Sequence, residues 1–227
     1  ATGDSFAKYW MHNGFLNVDN EKMAKSVGNF FLIRDVLNSG RVRHPEVLRL
    51  FLLSSHYRGP INYSLVQIEQ ADAGLSRLYT ALRDVQPAKS WTAGEATRRF
   101  EAAMDDDFNT PDAIAAMQWL ASEINRAKAA ADLKEAGELA AELRSLGSVL
   151  GILQLDPAAF LKLAVVHEDQ DAGSALSDIE IERLIAARVQ ARKSRDFKES
   201  DRIRDQLTEA RIILEDKPNG TTAWRRG

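Results

Sequence analysis

One short basic stretch near the start of the chain decides how the rest is interpreted: Glu21-Lys22-Met23-Ala24-Lys25-Ser26-Val27-Gly28-Asn29-Phe30. Two lysines lie three positions apart, and Ser, Gly and Asn follow closely. Each lysine is a compact charge with three donors, and exposed backbone N–H groups at a turn form an anion cradle. This lysine loop (residues 21–30) therefore suits a triphosphate, although a solvated basic turn has the same composition and stays open as an alternative.

Length and composition predict more than one packed unit. The chain has 227 residues, of which 44% are hydrophobic and 28% charged. That length favours two or three units. A net charge of −3 argues against indiscriminate nucleic-acid coating but allows a local basic patch. Because no bilayer-spanning apolar run and no signal peptide pattern are found, we expect a cytoplasmic protein without a membrane partner.

Metal ligands are scarce in this sequence. Cysteine is absent, so the chain can form neither a disulfide nor a thiolate metal site. The four histidines lack metal-ligand spacing. Asp105, Asp106 and Asp107 resemble a metal cluster, but consecutive carboxylates on a helix point to different faces. We interpret them as the end of a helix and predict no metal in this chain.

The pattern along the chain predicts a mainly-α fold with small α/β parts. Residues 1–44 predict a mixed α/β segment with a strand over residues 9–18, a turn at Asp19-Asn20, the lysine loop and a short helix. Residues 45–155 predict an antiparallel helical bundle, because apolar residues recur at helical spacing between short connections. Within it, Thr110 is expected to cap a helix that has Pro111 at its first position.

The last part of the chain predicts a linker and a small mixed α/β domain. Residues 156–176 contain Pro157 and an acidic run, and we interpret them as a linker. Residues 177–227 begin with a capping box at Ser177 and Glu180. Two helices follow, and then a β-hairpin signal around Pro218-Asn219-Gly220.

Four runs of sequence carry a family resemblance: Tyr9–Leu37, Arg49–Arg58, Met104–Pro111 and Leu214–Thr222. Together they resemble class I aminoacyl-tRNA synthetases and, within them, the cysteinyl-tRNA synthetases. That family's loop reads Lys-Met-Ser-Lys-Ser-Leu-Gly-Asn, whereas this chain has Ala24 in place of the first Ser. The resemblance covers most of the chain, and the combination is more specific than any single motif.

The resemblance implies the C-terminal part of a cysteine–tRNA ligase. Such an enzyme activates cysteine with ATP and transfers it to tRNA(Cys). The family's zinc ligands and its His-Ile-Gly-His motif are missing here, and the chain does not begin with Met. We therefore expect the zinc, the nucleotide pocket and the cysteine site in a separate N-terminal catalytic domain. The parent enzyme is expected to be monomeric, and this chain alone to be inactive.

The resemblance also assigns roles in the lysine loop, which in the family closes on ATP. Lys25 is expected to contact the phosphates in the transition state, with Lys22 assisting. Ser26, Gly28 and Asn29 are expected to shape the turn and to offer backbone donors to ATP. The loop motif itself comprises Lys22, Met23, Ala24, Lys25 and Ser26. Ala24 lacks a hydroxyl, which predicts altered loop motion rather than loss of activity.

In the last domain, the resemblance implies an anticodon reader for tRNA(Cys). Its expected tRNA-binding residues are Arg192, Phe197, Asp201 and Asp216. An aromatic side chain stacks unpaired bases, guanidiniums pair with phosphates or base edges, and carboxylates accept from base amino groups. The competing interpretation is a solvated helix face whose charges pair with each other. Tyr57 and Arg58 could contact the inner bend of the tRNA or only pack locally.

Two other functions stay open at this point. One is a mycothiol-pathway cysteine ligase, which shares the loop but lacks the appended anticodon domain, so residues 177–227 argue against it. The other is a non-catalytic tRNA-binding or interaction module derived from a synthetase. Selective binding of cysteine tRNA would separate an anticodon reader from the other possibilities.

Overall fold

The computed structural model describes residues 3, 5–24, 26, 28–165, 176–217 and 220–227. In chain order, the elements within these residues are β1 (Leu16–Val18), β2 (Glu21–Lys22), α1 (Ile33–Asn38), α2 (Pro45–Leu53), β3 (Ile61–Tyr63), α3 (Leu65–Leu82), α4 (Glu95–Asp105), α5 (Thr110–Ala129), α6 (Leu133–Leu150), α7 (Pro157–Lys162), α8 (Asp178–Lys193), α9 (Phe197–Glu209), β4 (Ile212–Asp216) and β5 (Thr222–Arg226). Helices dominate, which confirms the predicted mainly-α fold. In the described ranges, none of the helices has the length and apolarity that crossing a membrane requires.

The N-terminal segment contains a small sheet with the strand order β2-β1-β3. β1 and β2 are antiparallel and are joined at Asp19 and Asn20, whose φ angles are 49° and 67°. β3 pairs with β1 in parallel, which the sequence analysis does not predict. The predicted strand over residues 9–18 is wrong in extent, because only Leu16–Val18 forms a strand and Tyr9 and Trp10 are exposed.

A close backbone contact fixes the approach of the N-terminal segment to the loop after α2. The Gly14 N–H donates to the Tyr57 carbonyl over 2.7 Å. A Cβ on Gly14 would lie 1.9 Å from the Gly59 carbonyl oxygen, which is closer than any side chain tolerates. Only glycine therefore permits the two backbones to pass here.

Helices α2 to α7 share one hydrophobic core. α3 packs against α2, α5 and α7, while α5 also contacts α4 and α6. Among the fully buried side chains are Leu75, Leu78, Met117 and Leu120. The predicted helix start at residue 110 needs a small correction: the cap is Asn109, whose side chain accepts from the N–H of Asp112. Thr110 is the first helical residue, so the cap prediction was one residue late.

The interpretation of residues 156–176 as a linker is wrong for their first part. They include helix α7, with Asp156 as its cap and Pro157 as its first residue. Phe160 of α7 is fully buried in the bundle core. Proline was interpreted as a break, but at the first helical position its missing N–H costs nothing and its fixed φ suits the helix. Residues 166–175, with the acidic run, lie outside the described residues.

Glu46 of α2 is buried and joins three parts of the bundle. It is 4% exposed and accepts from the Tyr79 hydroxyl over 2.7 Å. It also accepts from the backbone N–H groups of Leu153 and Gln154, at 2.9 and 3.0 Å. Burial and the bond to Glu46 raise the pKa of the Tyr79 hydroxyl. Because every one of these donors is buried or part-buried, Glu46 is a structural carboxylate.

Glu142 of α6 plays a similar part for α4. It is 3% exposed and accepts from the N–H groups of Gly94 and Thr97, each at 3.1 Å. The Thr97 hydroxyl donates to it as well, over 2.7 Å. A side chain from another helix thus satisfies donors that the first turn of α4 leaves without intrahelical partners.

The C-terminal unit has a small core of its own. α8 packs against α9, and α9 contacts β4 of the hairpin. Its buried residues are Ile181, Ile185, Ile203, Leu207, Ile212 and Trp224. The predicted capping box at Ser177 and Glu180 is confirmed, and so is the antiparallel hairpin of β4 and β5. Pro218 and Asn219 at the predicted turn lie outside the described residues.

Charged side chains connect the hairpin to the bundle. Arg83 at the end of α3 forms an ion pair with Glu215 of β4. Lys217 donates to the Asp84 carboxylate over 2.7 Å, and these contacts lower the pKa of Asp84. The C-terminal unit is therefore held against the end of α3 mainly by ion pairs, in contrast to the apolar packing inside the bundle.

Candidate functional site

The lysine loop is held together by the side chain of Asn29. Its Oδ1 accepts from the Ala24 N–H over 2.9 Å, and its Nδ2 donates to the Lys22 carbonyl over 3.3 Å. One amide thus joins Asn29 to the backbone of both Lys22 and Ala24. Lys25 and Val27 lie outside the described residues, so the role expected for Lys25 stays a prediction.

The other loop residues present polar groups to solvent. Ser26 and Gly28 are exposed, and Gly28 has a φ of 77°, a conformation that favours glycine. The Lys22 ammonium lies 5.0 Å from the centre of the Phe15 ring, within the range of a cation–π contact. Lys22 therefore keeps a charged group at the loop without an ion pair among the described residues. An anion is the ligand that such a surface suits.

A second candidate site lies between the end of α8 and the hairpin. A cavity of about 350 Å³ opens there, and its lining includes Arg192, Lys193, Asp216 and Thr222. It offers guanidinium, ammonium, carboxylate and hydroxyl groups within one groove. That mixture provides both donors and acceptors, as recognition of a base edge requires. We call this cavity the base groove.

Asp216 organises the base groove through four hydrogen bonds. Arg188 donates to both carboxylate oxygens, at 3.0 and 3.1 Å. Arg192 donates to Oδ2 over 3.0 Å, and the Thr222 hydroxyl donates to Oδ1 over 2.7 Å. The hydrogen bonds from Arg188 and Thr222 hold the pKa of Asp216 well below its usual range, so the carboxylate stays ionised.

Arg188 contributes to the positive charge that the sequence shows on this helix, but it is not among the residues predicted to bind tRNA. Its side chain is 10% exposed, and its guanidinium forms a bidentate pair with Asp216, the strongest form of such a pair. Arg188 precedes Arg192 by four positions, so both face the same side of α8. That spacing is the signal that could have identified Arg188 as a partner of Arg192.

The other two predicted tRNA-binding residues lie on α9. Phe197 begins this helix and is 63% exposed, which leaves its ring free to stack. Asp201 forms an ion pair with Arg204 at 3.2 Å, and Arg204 also contacts Asp205. The structure thus brings Arg192 and Asp216 into direct contact, while Asp201 takes part in the helix-surface pairing that the competing interpretation predicts.

The acidic run at residues 105–107 lies at the end of α4, where Asp107 binds two side chains of another segment. Asp107 accepts from the Tyr57 hydroxyl over 2.7 Å and pairs with the Arg58 guanidinium. These hydrogen bonds lower the pKa of Asp107 to about 2. Both side chains considered for the bend of the tRNA are thus held by Asp107. Among the described residues, no group of His, Cys, Asp and Glu side chains could hold a metal ion.

Comparison with known families matches three successive parts of the chain. Residues 1–73 match "tRNA synthetases class I (C) catalytic domain", and residues 99–154 match "DALR domain". Residues 177–225 match "Cysteinyl-tRNA ligase anticodon binding domain". The last of these contains the base groove and Phe197.

Individual relatives extend the match to the whole chain. The protein named "Cysteine--tRNA ligase" from Methylococcus capsulatus is 53% identical over 100% of this chain and 47% of its own length. The proteins of that name from Alkalilimnicola ehrlichii and Halorhodospira halophila are 53% and 52% identical over 100% of this chain, covering 47% and 46% of their own lengths. The chain therefore spans about half the length of the relatives it matches.

The three family matches define the chain as part of a class I aminoacyl-tRNA synthetase. Within that class, the chain belongs to the cysteinyl-tRNA synthetase family and represents a C-terminal portion of it.

Proposed function

We propose that this chain supplies the ATP-closing loop and the tRNA-reading domain of a cysteine–tRNA ligase. The parent enzyme would activate cysteine with ATP and transfer it to tRNA(Cys). The observation that carries this proposal is the identity of 53% over the entire chain with a cysteine–tRNA ligase, because that span includes both candidate sites. The bundle would lie between the two sites and set their separation.

In the lysine loop, charge neutralisation is the proposed chemistry. The carboxylate of cysteine attacks the α-phosphate of ATP and pyrophosphate leaves, so negative charge builds on the phosphates. Lys25 would contact them in the transition state, with Lys22 assisting. Asn29 would position the loop, since it already bonds to the backbone of Ala24 and Lys22. The Ala24 N–H keeps that bond whatever its side chain, which supports activity despite the missing hydroxyl.

In the C-terminal unit, the proposed activity is recognition of the cysteine anticodon. Phe197 would stack one base, and Arg192 and Asp216 would meet a base edge in the base groove. The Asp216 carboxylate already accepts four hydrogen bonds, so a base amino group can reach it only if one donor moves. Arg192, which is half exposed, is the donor free to move. Asp201 would contribute a further acceptor from α9.

The proposed division of labour follows the chain. Residues 1–44 carry the lysine loop, residues 45–155 with α7 form the bundle, and residues 177–227 bind the anticodon. ATP and cysteine would bind mainly to the half of the relatives that this chain does not span. We assign the family's zinc to that half as well, and we propose a monomeric, cytoplasmic parent. The match of residues 177–225 to an anticodon binding domain disfavours a mycothiol-pathway ligase.

A chimera tests the loop assignment. This chain would replace the matching half of the Methylococcus capsulatus relative, and cysteine-dependent pyrophosphate exchange would be measured for the parent chimera and for Lys25→Ala. Losing one transition-state donor costs about 3–4 kcal/mol, so exchange should fall by 10²- to 10³-fold, with cysteine binding little changed. Lys134→Ala, on the exposed face of α6, is the matched control and should exchange normally. Normal exchange by Lys25→Ala would remove its assigned role.

A further inference from the structure

The corner between α8 and α9 brings three cationic side chains together. Lys193 ends α8, Arg195 lies in the turn, and Lys198 is the second residue of α9. All three side chains are exposed. Within the described part of the chain, none of them has an ion-pair or side-chain hydrogen-bond partner. We call these three residues the cationic corner.

Most other cations of the C-terminal unit form ion pairs. Seven others form ion pairs with carboxylates: Arg188, Arg192, Arg202, Arg204, Lys217, Arg225 and Arg226. Among the described residues Arg183 has no such pair, but its charge adds to the hydrogen bonds from Ser177 in lowering the pKa of Glu180. Among the described residues, the cationic corner thus brings together three cations of this unit that lack an ion pair. Such a patch attracts polyanions, and the attraction is weakened by salt.

The acid inside the corner, Asp196, offsets only part of its positive charge. Asp196 is the N-cap of α9, and its Oδ1 accepts from the Glu199 N–H over 3.1 Å. A capping carboxylate is engaged with backbone donors that the helix start would otherwise leave unsatisfied. Asp196 keeps its own negative charge, but three cations outnumber this one acid, so the net charge of the corner stays positive.

Hydrogen bonds fix the backbone of the corner, so the three side chains start from a defined turn. The Ser194 hydroxyl donates to the carbonyls of Gln190 and Ala191, at 3.2 and 3.0 Å. The Asp196 N–H donates to the Ala191 carbonyl over 2.9 Å. Arg195 adopts a φ of 60°, which turns the chain sharply between the helices. Cations carried on an ordered backbone lose less entropy on binding than cations on a mobile tail.

Position in the unit indicates which polyanion fits. Lys193 lines the base groove beside Arg192 and Asp216. Phe197, the exposed aromatic ring, lies between Arg195 and Lys198 in sequence. An unpaired RNA strand with one base in the groove and another on the ring would pass the cationic corner with its phosphates. Single-stranded binding sites combine these two elements, a basic track for the backbone and an aromatic platform for the bases.

We propose that Lys193, Arg195 and Lys198 bind the phosphates of the RNA strand whose bases enter the base groove and stack on Phe197. This inference rests on the proposed anticodon recognition and adds a backbone contact to it. The cationic corner would supply affinity that is independent of sequence, while the groove and Phe197 supply the discrimination.

Salt dependence tests the corner directly. The full chain would be titrated with the anticodon stem-loop of cysteine tRNA and with the same stem-loop carrying another anticodon, at several salt concentrations. For the triple variant Lys193→Gln, Arg195→Gln and Lys198→Gln, the slope of log K against log salt should become shallower by about 2, at roughly 0.7 per lost phosphate contact. The double variant Arg195→Gln and Lys198→Gln, which leaves Lys193 of the base groove in place, should keep the preference for the cysteine anticodon.

A matched control removes three exposed cations from the bundle instead: Arg98→Gln, Arg126→Gln and Lys134→Gln. Its slope should equal that of the parent chain. Lys193→Arg with Lys198→Arg, which keeps the charge, should also keep the slope. Equal far-UV spectra and melting temperatures establish that all variants are folded.

The outcomes separate the two proposals. If the parent prefers the cysteine stem-loop but the corner variant keeps the parental slope, the phosphate-binding role of the cationic corner is wrong. Anticodon recognition then stands. If the parent shows no preference but the corner variant flattens the slope, the corner stands as an RNA-backbone site and anticodon recognition fails. If the parent binds neither RNA, both are wrong.

Discussion

Carboxylates in the bundle and in the C-terminal unit are used in different ways. Glu46 is buried, and two of its partners are backbone N–H groups. Asp216 is 45% exposed, and its partners are the side chains of Arg188, Arg192 and Thr222. Backbone donors cannot leave without local unfolding, whereas a long exposed side chain can move aside. The bundle carboxylate therefore fixes the fold, and we propose that the groove carboxylate exchanges one partner for a ligand.

The largest effect is expected from Glu46→Ala. Three donors would lose their acceptor in the bundle, and each buried donor left unsatisfied costs about 1–3 kcal/mol. We expect the free energy of unfolding to fall by about 3–5 kcal/mol, measured by urea unfolding followed by circular dichroism. Glu46→Gln keeps one acceptor oxygen and should lose clearly less. A change of under about 1 kcal/mol in Glu46→Ala would mean that the carboxylate does not hold the bundle together.

A smaller loss of stability, with a loss of recognition, is expected from Arg188→Met. The substitution removes the bidentate partner of Asp216 but keeps an apolar stem in the buried space. Because Asp216 is partly exposed and screened, we expect about 1–2 kcal/mol in unfolding. Preference for the cysteine stem-loop should fall about tenfold, since Asp216 would lose its fixed position. Arg202→Met, which breaks an exposed pair with Glu199, is the control and should change neither.

The smallest effect is expected in the pH dependence of stability, at the exposed carboxylate of Asp107. Its pKa is about 2, below the ordinary value of about 3.9. A depressed pKa stabilises the folded state fully above the unfolded value, and this is lost as pH falls through the folded value. The melting temperature of the parent should therefore exceed that of Asp107→Asn by a constant amount at pH 5–8. The difference should shrink between pH 4 and 2. A constant difference down to pH 2 would contradict the pairing with Arg58 and Tyr57.

Local signals in the sequence predicted most of the helices and the final hairpin. The capping box at Ser177 and the apolar periodicity of the bundle depend only on residues close in sequence, and the structure confirms both. Helix α7 was missed because its six residues are too few to show a period, although Asp156-Pro157 is itself a start signal. The parallel pairing of β1 with β3 joins residues about 45 positions apart, which no local pattern encodes.

For the candidate sites, too, the sequence predicts which residues take part but not which contacts they make. Sequence placed Arg192, Phe197 and Asp216 in one domain, but it could not show that Asp216 reaches Arg188 and Arg192. That contact depends on the hairpin register, which sets Asp216 opposite Thr222, and on how the hairpin lies against α8. The hydrogen bond between Asn29 and the backbone of Ala24 could not be predicted from the sequence either, because it depends on the conformation of the lysine loop.

The most direct test of the central claim is the anticodon preference of the chain with and without the movable guanidinium of the base groove. Dissociation constants would be measured for tRNA(Cys) and for the same tRNA with another anticodon, using the parent chain and Arg192→Ala. We predict that the parent prefers tRNA(Cys), and that Arg192→Ala loses at least about tenfold of that preference at an unchanged melting temperature. Equal binding of both tRNAs by the parent, or an undiminished preference in Arg192→Ala, would contradict the account.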